Sequence, residues 1–477
     1  MKAFIIAADS VTPDYILNKS ELFPTLAQLI NKGASASHSA YVQKGYAGSY
    51  SSEQNWASLY TGLEPKEHGI NTRNVRGENR RPQMKDFDDL QPFWKLLNAN
   101  GFTVGLWAAS NCVLPVPING YSVSCKTDFL ETPVTNREAP RMIQLCEKDK
   151  DISKFLDGNP PPRLFPRTLQ QQGYVFDQLK QNLDLAEEAI KNYHFQDSLS
   201  NFEEELDYWF SCMKRVQYAN PVDVLYFFTP TPDIIAHFCL HNDDNPILIT
   251  AYQMLDRYIG NFLCEFNPEI TIFFSDHGQQ NFKELVKCSD PEVQREAFSA
   301  RDDVLWFKNG YTAFLGRNGA LLFTAHSLKG VFIVCGDGIK HTFINEMRNL
   351  DIYPTLLEMF NIKVPDGRSG FVADIFDKPV INSGKLLKPT EIEYTSIVLL
   401  QTHEMSIMDI ILNELYLEKR FAKITIAGEA KYEEIFRNNP RVSDFVPIEK
   451  INHKDFDEVY CGFFNKATSQ MSHIRVI

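Results

Sequence analysis

The sequence predicts an α/β protein in which a mostly parallel central sheet is sandwiched between helices. Short apolar runs recur along the chain with the length and composition of strands buried on both faces, at Ala3–Ala8, Thr103–Ala108, Val222–Phe228, Ile270–Phe274 and Val331–Val334. Helical patterns separate these runs, for example at Glu21–Asn31, Phe93–Asn100 and Ile247–Phe266. This alternation favours a parallel sheet, because each parallel connection needs a crossover that covers one face.

The pattern changes in the middle of the chain. From about Thr132 to Asn220, an irregular, Pro-rich stretch leads into helical sequence at Phe176–Tyr218 that is rich in Glu, Lys, Asn and Gln. We interpret residues 132–220 as a helical cap inserted over the edge of the sheet. A second irregular segment, Phe282–Asn318, is predicted to be another excursion from the sheet.

We predict one large catalytic domain over residues 1–380 and a small Rossmann-like α/β domain over residues 391–477. The linker KPVINSGKLLKPTE follows Asp377. The elements predicted beyond it are strand, helix, strand, helix and two short strands, at Tyr394–Leu400, Ser406–Lys419, Ala422–Ile426, Lys431–Arg437, Phe445–Val446 and Glu458–Cys461. The string AKITIAGEAKYEEIFRNNPRVSDFV resembles the first half of a nucleotide-sugar glycosyltransferase domain of the heptosyltransferase kind. We predict an accessory or interaction role for this domain.

Length and charge limit the kinds of function. With 477 residues, of which 44% are hydrophobic and 23% charged, the chain is expected to be a packed globular protein with more than one compact unit. Its formal net charge of -13 gives no general attraction for nucleic acid polymers or anionic membranes. A polyanionic substrate would need a local positive site, which bound metal ions can provide.

The cysteine pattern and the lengths of the apolar runs predict the cellular compartment. The 9 cysteines form no C-x-x-C pair and their number is odd, which favours a reducing environment. The N-terminal apolar run is too short for a signal-peptide core, and no run reaches transmembrane length. We therefore predict a cytoplasmic protein without a membrane segment; the sequence leaves the oligomeric state open.

Acidic and histidine side chains collect at the ends of the predicted strands. Asp9 follows the first strand, Asp233 and His237 follow Val222–Phe228 in FFTPTPDIIAH, and Asp276 and His277 follow Ile270–Phe274 in FFSDHGQ. Because the carboxyl ends of parallel strands meet at one edge of a sheet, these side chains are expected to converge. His326 precedes the strand Val331–Val334, so it reaches the same edge only if that strand runs antiparallel or its loop folds back.

This set of side chains predicts a site for two divalent cations. Six oxygen and nitrogen ligands suffice for two ions with open coordination positions, and the adjacent Asp276 and His277 can serve two ions about 4 Å apart. Asp233 and His237 are four residues apart, so a helical turn places both on one face. Taken singly, an Asp after a strand is more often a turn or helix cap, and a lone His is more often structural.

A hydroxyl at a predicted helix start is a candidate nucleophile. In YSSEQNWASLYTGLEPKEHGI, Ser52 stands where a helix would begin, with Trp56 on the apolar face of that helix. Free N–H groups and the positive dipole end at such a position favour a bound phosphate and a deprotonated hydroxyl. Serine is also a common helix N-cap, and Ser51 and Ser58 are rivals by residue type.

Together these motifs resemble the alkaline phosphatase superfamily, in particular its type I phosphodiesterase/nucleotide pyrophosphatase branch. The matching strings are AADSVTPDYI at Asp9, SSEQNWASLYTGLEPKEHGI at Ser52, PDIIAH at Asp233, SDHG at Asp276 and H-x-x-x-G-V-F-I-V-x-G-D-G-I-K from His326. DIYPTLLEMFNIKVPDGRSG looks like the closing helix and loop of the family. The resemblance covers roughly residues 1–376 in the order of the family, and it implies an alkaline phosphatase-like fold.

The resemblance also implies a cofactor and roles for residues. It implies two divalent metal ions, Zn²⁺ with Mn²⁺ as the alternative, one held by Asp9, Ser52, Asp276 and His277 and the other by Asp233, His237 and His326. Ser52 lies nine residues before the Thr of TGL, where the nucleophile of the family sits. An Asn after the HGI string helps to hold a phosphate oxygen in the family, which assigns Asn74 or Asn71 to substrate binding.

The chain departs from the branch at two positions. The branch usually has Thr as the nucleophile, where this chain has Ser52, and Pro where this chain has Gln54. The C-x-P-x-R motif of sulfatases is absent, which argues against a sulfatase. The larger and differently placed insertion of cofactor-independent phosphoglycerate mutases is not matched.

These observations predict metal-dependent hydrolysis of phosphodiester or nucleotide pyrophosphate bonds through a phosphoserine intermediate. One alternative is a phosphomonoesterase or phosphotransferase that acts on a sugar- or lipid-linked phosphate. A third hypothesis, which is not enzymatic, is a binding protein with an inactive hydrolase fold. The complete set of metal ligands argues against it. The expected partner is a small phosphate ester, whose identity the sequence does not define.

Overall fold

The computed structural model describes residues 1–40, 52–71, 74–80, 82–108, 116–126, 142–156, 158, 160–161, 168–191, 198–238, 246–281, 289–290, 292–293, 296, 304–306, 312–315, 319–380, 386–387, 395–400, 412, 422–439, 441–461 and 474–476. The strands are β1 (Ala3–Ala8), β2 (Ala34–Ser39), β3 (Ile70–Asn71), β4 (Asn74–Val75), β5 (Val104–Trp107), β6 (Gly120–Lys126), β7 (Met142–Leu145), β8 (Val224–Thr229), β9 (Ile270–Phe274), β10 (Gly278–Asn281), β11 (Val304–Trp306), β12 (Thr312–Leu315), β13 (Leu321–Leu322), β14 (Thr324–Ser327), β15 (Lys329–Gly336), β16 (Thr342–Arg348), β17 (Val372–Ala373), β18 (Leu386–Leu387), β19 (Thr395–Leu400), β20 (Ala422–Gly428), β21 (Asp444–Pro447), β22 (Glu458–Cys461) and β23 (Ile474–Val476). The α-helices are α1 (Pro13–Asn18), α2 (Pro24–Lys32), α3 (Ser52–Thr61), α4 (Pro65–His68), α5 (Phe93–Ala99), α6 (Phe176–Gln181), α7 (Leu183–Lys191), α8 (Ser198–Ala219), α9 (Thr231–Phe238), α10 (Pro246–Phe266), α11 (Asn349–Met359) and α12 (Glu433–Arg437).

Nine strands form the central sheet, in the order β16-β2-β15-β9-β1-β8-β5-β6-β7. β15 runs antiparallel to both of its neighbours, and β7 runs antiparallel to β6. The other neighbouring strands are parallel to each other. The prediction of a mostly parallel α/β sheet is therefore confirmed.

The central strand β1 shows how the sheet is covered. All of its residues are buried, and its side chains alternate between two hydrophobic cores. The first core contains apolar residues of α3, α5 and α11. The second contains apolar residues of α2, α8 and α10. Helices therefore cover both faces of the sheet, as the sequence predicts.

Helix α8 lies within the segment 132–220 that the sequence analysis interprets as a cap, and it packs on the face of the sheet. The second core contains the buried apolar side chains of this helix, namely Phe202, Leu206, Trp209, Phe210, Cys212, Met213 and Val216. Helices α6 and α7 pack elsewhere, in a small cluster with β11, β12 and β13. The two segments predicted to leave the sheet, 132–220 and 282–318, thus share a hydrophobic cluster.

Four strands of the central sheet, β2, β6, β7 and β16, are not predicted from apolar runs. β2 has the sequence ASASHS, and β6 and β16 mix polar with apolar residues. β2 is nevertheless held between β15 and β16, with small side chains that are mostly buried. Strands of this composition lack the branched apolar residues by which a buried strand is recognised.

The start of helix α2 depends on a carboxylate from another helix. The buried Asp256 of α10 accepts hydrogen bonds from the backbone N–H of Thr25 at 3.0 Å and of Leu26 at 2.7 Å. The predicted helix Glu21–Asn31 is in fact a short 3-10 turn, Ser20–Leu22, followed by α2 from Pro24. Proline favours the first position of a helix because its ring presets the backbone and no N–H is lost.

Replacing Asp256 with Ala is expected to lower the free energy of unfolding by about 1–3 kcal/mol, since two backbone N–H groups lose their acceptor. Chemical denaturation measures the change. Glu204→Ala, on the exposed face of α8, is the control and should stay within about 0.5 kcal/mol of wild type. Equal losses in both variants would show that the hydrogen bonds of Asp256 to the start of α2 add nothing to the stability of the fold.

A second, fully parallel sheet lies in the C-terminal part of the chain, in the order β21-β20-β19-β22-β23. Four of its strands and helix α12 lie where the sequence predicts elements, whereas β23 is not predicted. The predicted helix Ser406–Lys419 falls outside the described residues. Lys431 and Tyr432 contact Glu296, at 3.0 and 2.9 Å. Among the described residues, no helix has the length and apolarity needed to cross a bilayer.

Candidate metal centre and nucleophile

The predicted ligands follow the carboxyl ends of three neighbouring strands. Asp9 comes directly after β1, helix α9 with Asp233 and His237 follows β8, and Asp276 and His277 follow β9. β9, β1 and β8 are adjacent and parallel, so their ends meet at one edge. These residues therefore lie at the edge of the sheet where the sequence analysis predicts them.

His326 reaches this edge because β15 runs antiparallel to β9. It lies on β14, which pairs with β10 in a short antiparallel ribbon that places His326 opposite Gln279. β14 precedes β15, so the start of an antiparallel strand lies beside the ends of the parallel ones. This is the first of the two routes that the sequence analysis left open.

Asp9, Asp276 and His277 form the first of two clusters that could each hold a metal ion. His277 Nε2 lies 3.4 Å from Asp9 Oδ1 and 3.2 Å from Asp276 Oδ2. Ser52 Oγ lies 2.7 Å from His277 Nε2 and 3.4 Å from Asp9 Oδ1. The hydroxyl of Ser52 thus lies against this cluster, and the Trp56 indole donates a hydrogen bond to Asp9 Oδ2 at 3.3 Å.

Asp233, His237 and His326 form the second cluster. The Nε2 atoms of the two imidazoles are 2.7 Å apart, and each lies 3.3 Å from Asp233 Oδ1. His237 Nδ1 lies 3.1 Å from the carbonyl oxygen of Thr324, which can accept a hydrogen bond from a protonated Nδ1. With Nδ1 protonated, the Nε2 lone pair of His237 is available to a cation.

Burial and charge make the first cluster unfavourable without a cation. Burial, together with the charge of Asp233, raises the pKa of Asp9 well above its ordinary value. Burial, followed by the charge of Asp9, does the same to the pKa of Asp276. Asp276 Oδ2 is buried without a hydrogen-bond partner among the described residues. An orphaned carboxylate oxygen beside a second carboxylate and an imidazole fits a divalent cation.

The second cluster is electrostatically different. Burial opposes the charged form of Asp233, but His237 and His326 outweigh it and hold the pKa of Asp233 well below its ordinary value. Burial likewise opposes the charged form of His237, and Asp233 outweighs it, so the pKa of His237 is raised. His277, in the first cluster, stacks on His326 of the second with ring centroids 3.8 Å apart. Burial, followed by the charge of His326, lowers the pKa of His277 well below its ordinary value.

Ser52 is the first described residue of α3, the helix that the sequence analysis predicts here. Trp56 and Tyr60 of this helix are fully buried among aromatic side chains of the first core, which fixes its position. Of the rival serines, Ser58 is buried with its Oγ 3.2 Å from His68 Nε2, and it does not join either cluster. Ser51 lies outside the described residues.

The predicted phosphate-binding residues Asn71 and Asn74 lie on a small ribbon. Their backbones pair with each other, in β3 and β4. Their side chains lie outside the described part of the structure, so their role stays a prediction. The ribbon is anchored next to α3, because buried His68 accepts a hydrogen bond from the Ile70 N–H at 3.0 Å and contacts Ser58.

Two contributors to the site are missed by the sequence analysis. The hydroxyl of Ser10 lies 2.6 Å from Asp233 Oδ1, and the Gln279 side-chain amide donates to Asp233 Oδ1 at 2.7 Å. Both stand within two residues of a predicted ligand, in ADS and DHGQ. That proximity is the one signal that could have found them, and it carries no information about which cluster they contact.

Comparisons with known proteins place the chain in a family. The family model of type I phosphodiesterases/nucleotide pyrophosphatases matches residues 3–322. No curated protein matches the sequence. Among solved structures, human ectonucleotide pyrophosphatase/phosphodiesterase 5 is similar at 13% identity with a TM-score of 0.43, over 76% of this chain and 96% of that chain. The inactive murine form in complex with AMP is similar at 13% identity and a TM-score of 0.43, over 77% and 97% of the two chains. Because the family model spans most of its length, this chain belongs to the type I phosphodiesterase/nucleotide pyrophosphatase family.

Proposed function

We propose that this protein hydrolyses phosphodiester or nucleotide pyrophosphate bonds in a metal-dependent reaction that passes through a phosphoserine on Ser52. One observation carries the proposal: the hydroxyl of Ser52, in helix α3, lies 2.7 Å from His277 Nε2, against a cluster of two carboxylates and an imidazole. Family membership supports the reaction class.

Each cluster has the donors for one divalent cation. Asp9, Asp276 and His277, joined by Ser52, would hold the first, and Asp233, His237 and His326 would hold the second. Mixed carboxylate and imidazole donors suit Zn²⁺, with Mn²⁺ as the alternative. When bound, such cations would neutralise the charge of a phosphate ester and stabilise the negative charge on the attacking and leaving oxygens.

The residues of the chain position the nucleophile. The hydroxyl proton of Ser52 faces two acceptors, His277 Nε2 and Asp9 Oδ1, which leaves oxygen lone pairs for the phosphorus atom. In the attack the hydroxyl proton passes to one of these acceptors, Ser52 Oγ bonds to phosphorus, and the ester bond breaks with its electron pair on the leaving oxygen. Water then cleaves the phosphoserine and restores the hydroxyl. Asn71 or Asn74 would hold a phosphate oxygen.

The test compares a bis-aryl phosphate with a mono-aryl phosphate, using protein as purified, protein stripped with a chelator and protein reloaded with Zn²⁺ or Mn²⁺. We expect turnover of the diester that is lost on stripping and restored on reloading. A preference for the monoester would instead support a phosphomonoesterase or phosphotransferase. Absence of both bound metal and turnover would support an inactive hydrolase-fold binding protein.

A further inference from the structure

Ser10 contacts ligands of both clusters. Its Oγ lies 2.6 Å from Asp233 Oδ1 in the second cluster and 2.9 Å from His277 Nδ1 in the first. Its backbone N–H faces Asp276 Oδ1 at 3.5 Å. The residue is fully buried, and its carbonyl oxygen accepts a hydrogen bond from Tyr252 Oη at 3.2 Å.

Gln279 completes the connection. Its side-chain Nε2 lies 3.0 Å from Ser10 Oγ and 2.7 Å from Asp233 Oδ1. An ionised carboxylate only accepts hydrogen bonds, so the amide nitrogen must face Asp233, and a rotated amide would place two acceptors against each other. The backbone N–H of Gln279 donates to Thr12 Oγ1 at 3.0 Å, which anchors the residue.

The hydrogen bonds of Ser10 permit one consistent placement of protons. Ser10 has one hydroxyl proton, and the 2.6 Å separation from Asp233 Oδ1 requires that proton between the two oxygens. Ser10 Oγ must therefore accept from Gln279 and from His277, so His277 carries its proton on Nδ1. Its Nε2 then presents a lone pair to Asp9, Asp276 and Ser52.

The backbone at Ser10 is strained. Its φ of 63° lies in the left-handed region, which glycine adopts more readily than serine. Strained residues that the surroundings hold in place cluster at functional sites. What serine adds to glycine at this position is the hydroxyl, and that hydroxyl touches both clusters.

We propose that Ser10 and Gln279 are positioning residues that form one polar bridge between the two metal sites. The bridge orients the His277 ring toward the first site and the Asp233 carboxylate toward the second, so that both sites are preorganised together. The inference rests on the proposed function, since it concerns how the same centre binds its cations. It predicts that loss of either residue weakens metal binding at both sites.

The experiment titrates metal-free full-length protein with Zn²⁺ in competition with a chromophoric chelator. The variants are Ser10→Gly, Gln279→Met and the double substitution. Each single variant is expected to bind Zn²⁺ about 10–100-fold more weakly, as is usual for partners that orient metal ligands. Because the two residues act as one bridge, the double variant should bind no more weakly than the weaker single variant.

Two controls separate this effect from a general loss of structure. Ser10→Gly relaxes the backbone, so its metal-free thermal midpoint should equal or exceed that of wild type. Ala108→Gly also places glycine at a residue with a positive φ, here 55°, but it removes no hydroxyl. This variant should leave the affinity for Zn²⁺ unchanged.

The outcomes separate the two proposals. Wild-type affinity in Ser10→Gly, or losses that add up in the double variant, would overturn the bridge and leave the proposed function intact. Failure of wild-type protein to take up any divalent cation would overturn the proposed function, and the bridge with it. Weaker binding in both single variants, without a further loss in the double, supports the bridge.

Discussion

Ser52→Ala is expected to reduce the turnover of phosphate diesters by at least about a thousandfold, because removal of a nucleophile leaves only the remaining binding and charge stabilisation. The variant should retain two metal ions per chain, since three other donors of the first cluster stay in place. Measurements of turnover and of bound metal on the same sample check both statements. A phosphorylated serine trapped by acid quenching in wild type should be absent from the variant.

Two comparisons sharpen the Ser52 prediction. Ser58→Ala removes a buried hydroxyl from the same helix, where Ser58 contacts His68 and neither cluster, so turnover should persist. Ser52→Thr keeps a hydroxyl at the nucleophile position and should retain part of the activity. Full activity in Ser52→Ala would show that another group attacks phosphorus, and equal losses in the Ser52→Ala and Ser58→Ala variants would point to damage of α3.

Asp276→Asn is expected to stabilise the metal-free protein while it destroys metal binding at the first cluster. Burial raises the pKa of Asp276 and of its neighbour Asp9. A carboxyl whose pKa is raised on folding favours the folded state below its unfolded pKa of about 3.9 and loses that contribution as pH rises through the folded value. The metal-free wild type therefore loses stability as pH rises above the unfolded pKa, whereas the amide of Asp276→Asn does not ionise and avoids this loss of about 2 kcal/mol.

Denaturant unfolding of metal-free samples measures this gain. The advantage of Asp276→Asn should shrink as pH falls toward the unfolded pKa of about 3.9, because the carboxyls are then protonated in the folded and in the unfolded chain. Saturation with Zn²⁺ should reverse the order, because wild type alone gains the free energy of binding at the first cluster. A metal-free variant that is less stable than wild type at about pH 8 would contradict the proposed electrostatics.

Asp233→Asn is the matched control for Asp276→Asn. His237 and His326 hold the pKa of Asp233 well below its ordinary value, against the opposing effect of burial. A carboxyl with a lowered folded pKa contributes stability above its unfolded pKa and loses it as pH falls. The same chemical change is therefore expected to destabilise metal-free protein at Asp233 and to stabilise it at Asp276.

The strand-end pattern is what made the ligands predictable. Asp9, Asp276 and the Asp233/His237 pair each follow an apolar run, and apolar runs mark buried strands whatever surrounds them. The i,i+4 spacing of Asp233 and His237 holds on α9 because a helix places such residues on one face. The helix that contains Ser52 is likewise predicted from a local pattern.

Contacts between distant segments were not predictable in this way. β2, with the sequence ASASHS, contains no apolar run from which a strand could be predicted. It is a strand because β15 and β16 pair with it on both sides. Helix α8 packs on the sheet although its polar composition suggested a cap, because its apolar residues lie along one buried side.

By itself, the sequence determined the family, the α/β class and the identity of the candidate ligands, because these depend on residue types and on spacings along the chain. The tertiary structure decided how the ligands meet. It brought His326 to the site through an antiparallel strand, and it set the distances within the two groups of ligands that the family resemblance implies. It also placed Ser10 and Gln279 between the clusters. Such positions follow from strand direction and packing, which bring residues that are far apart in the sequence into contact.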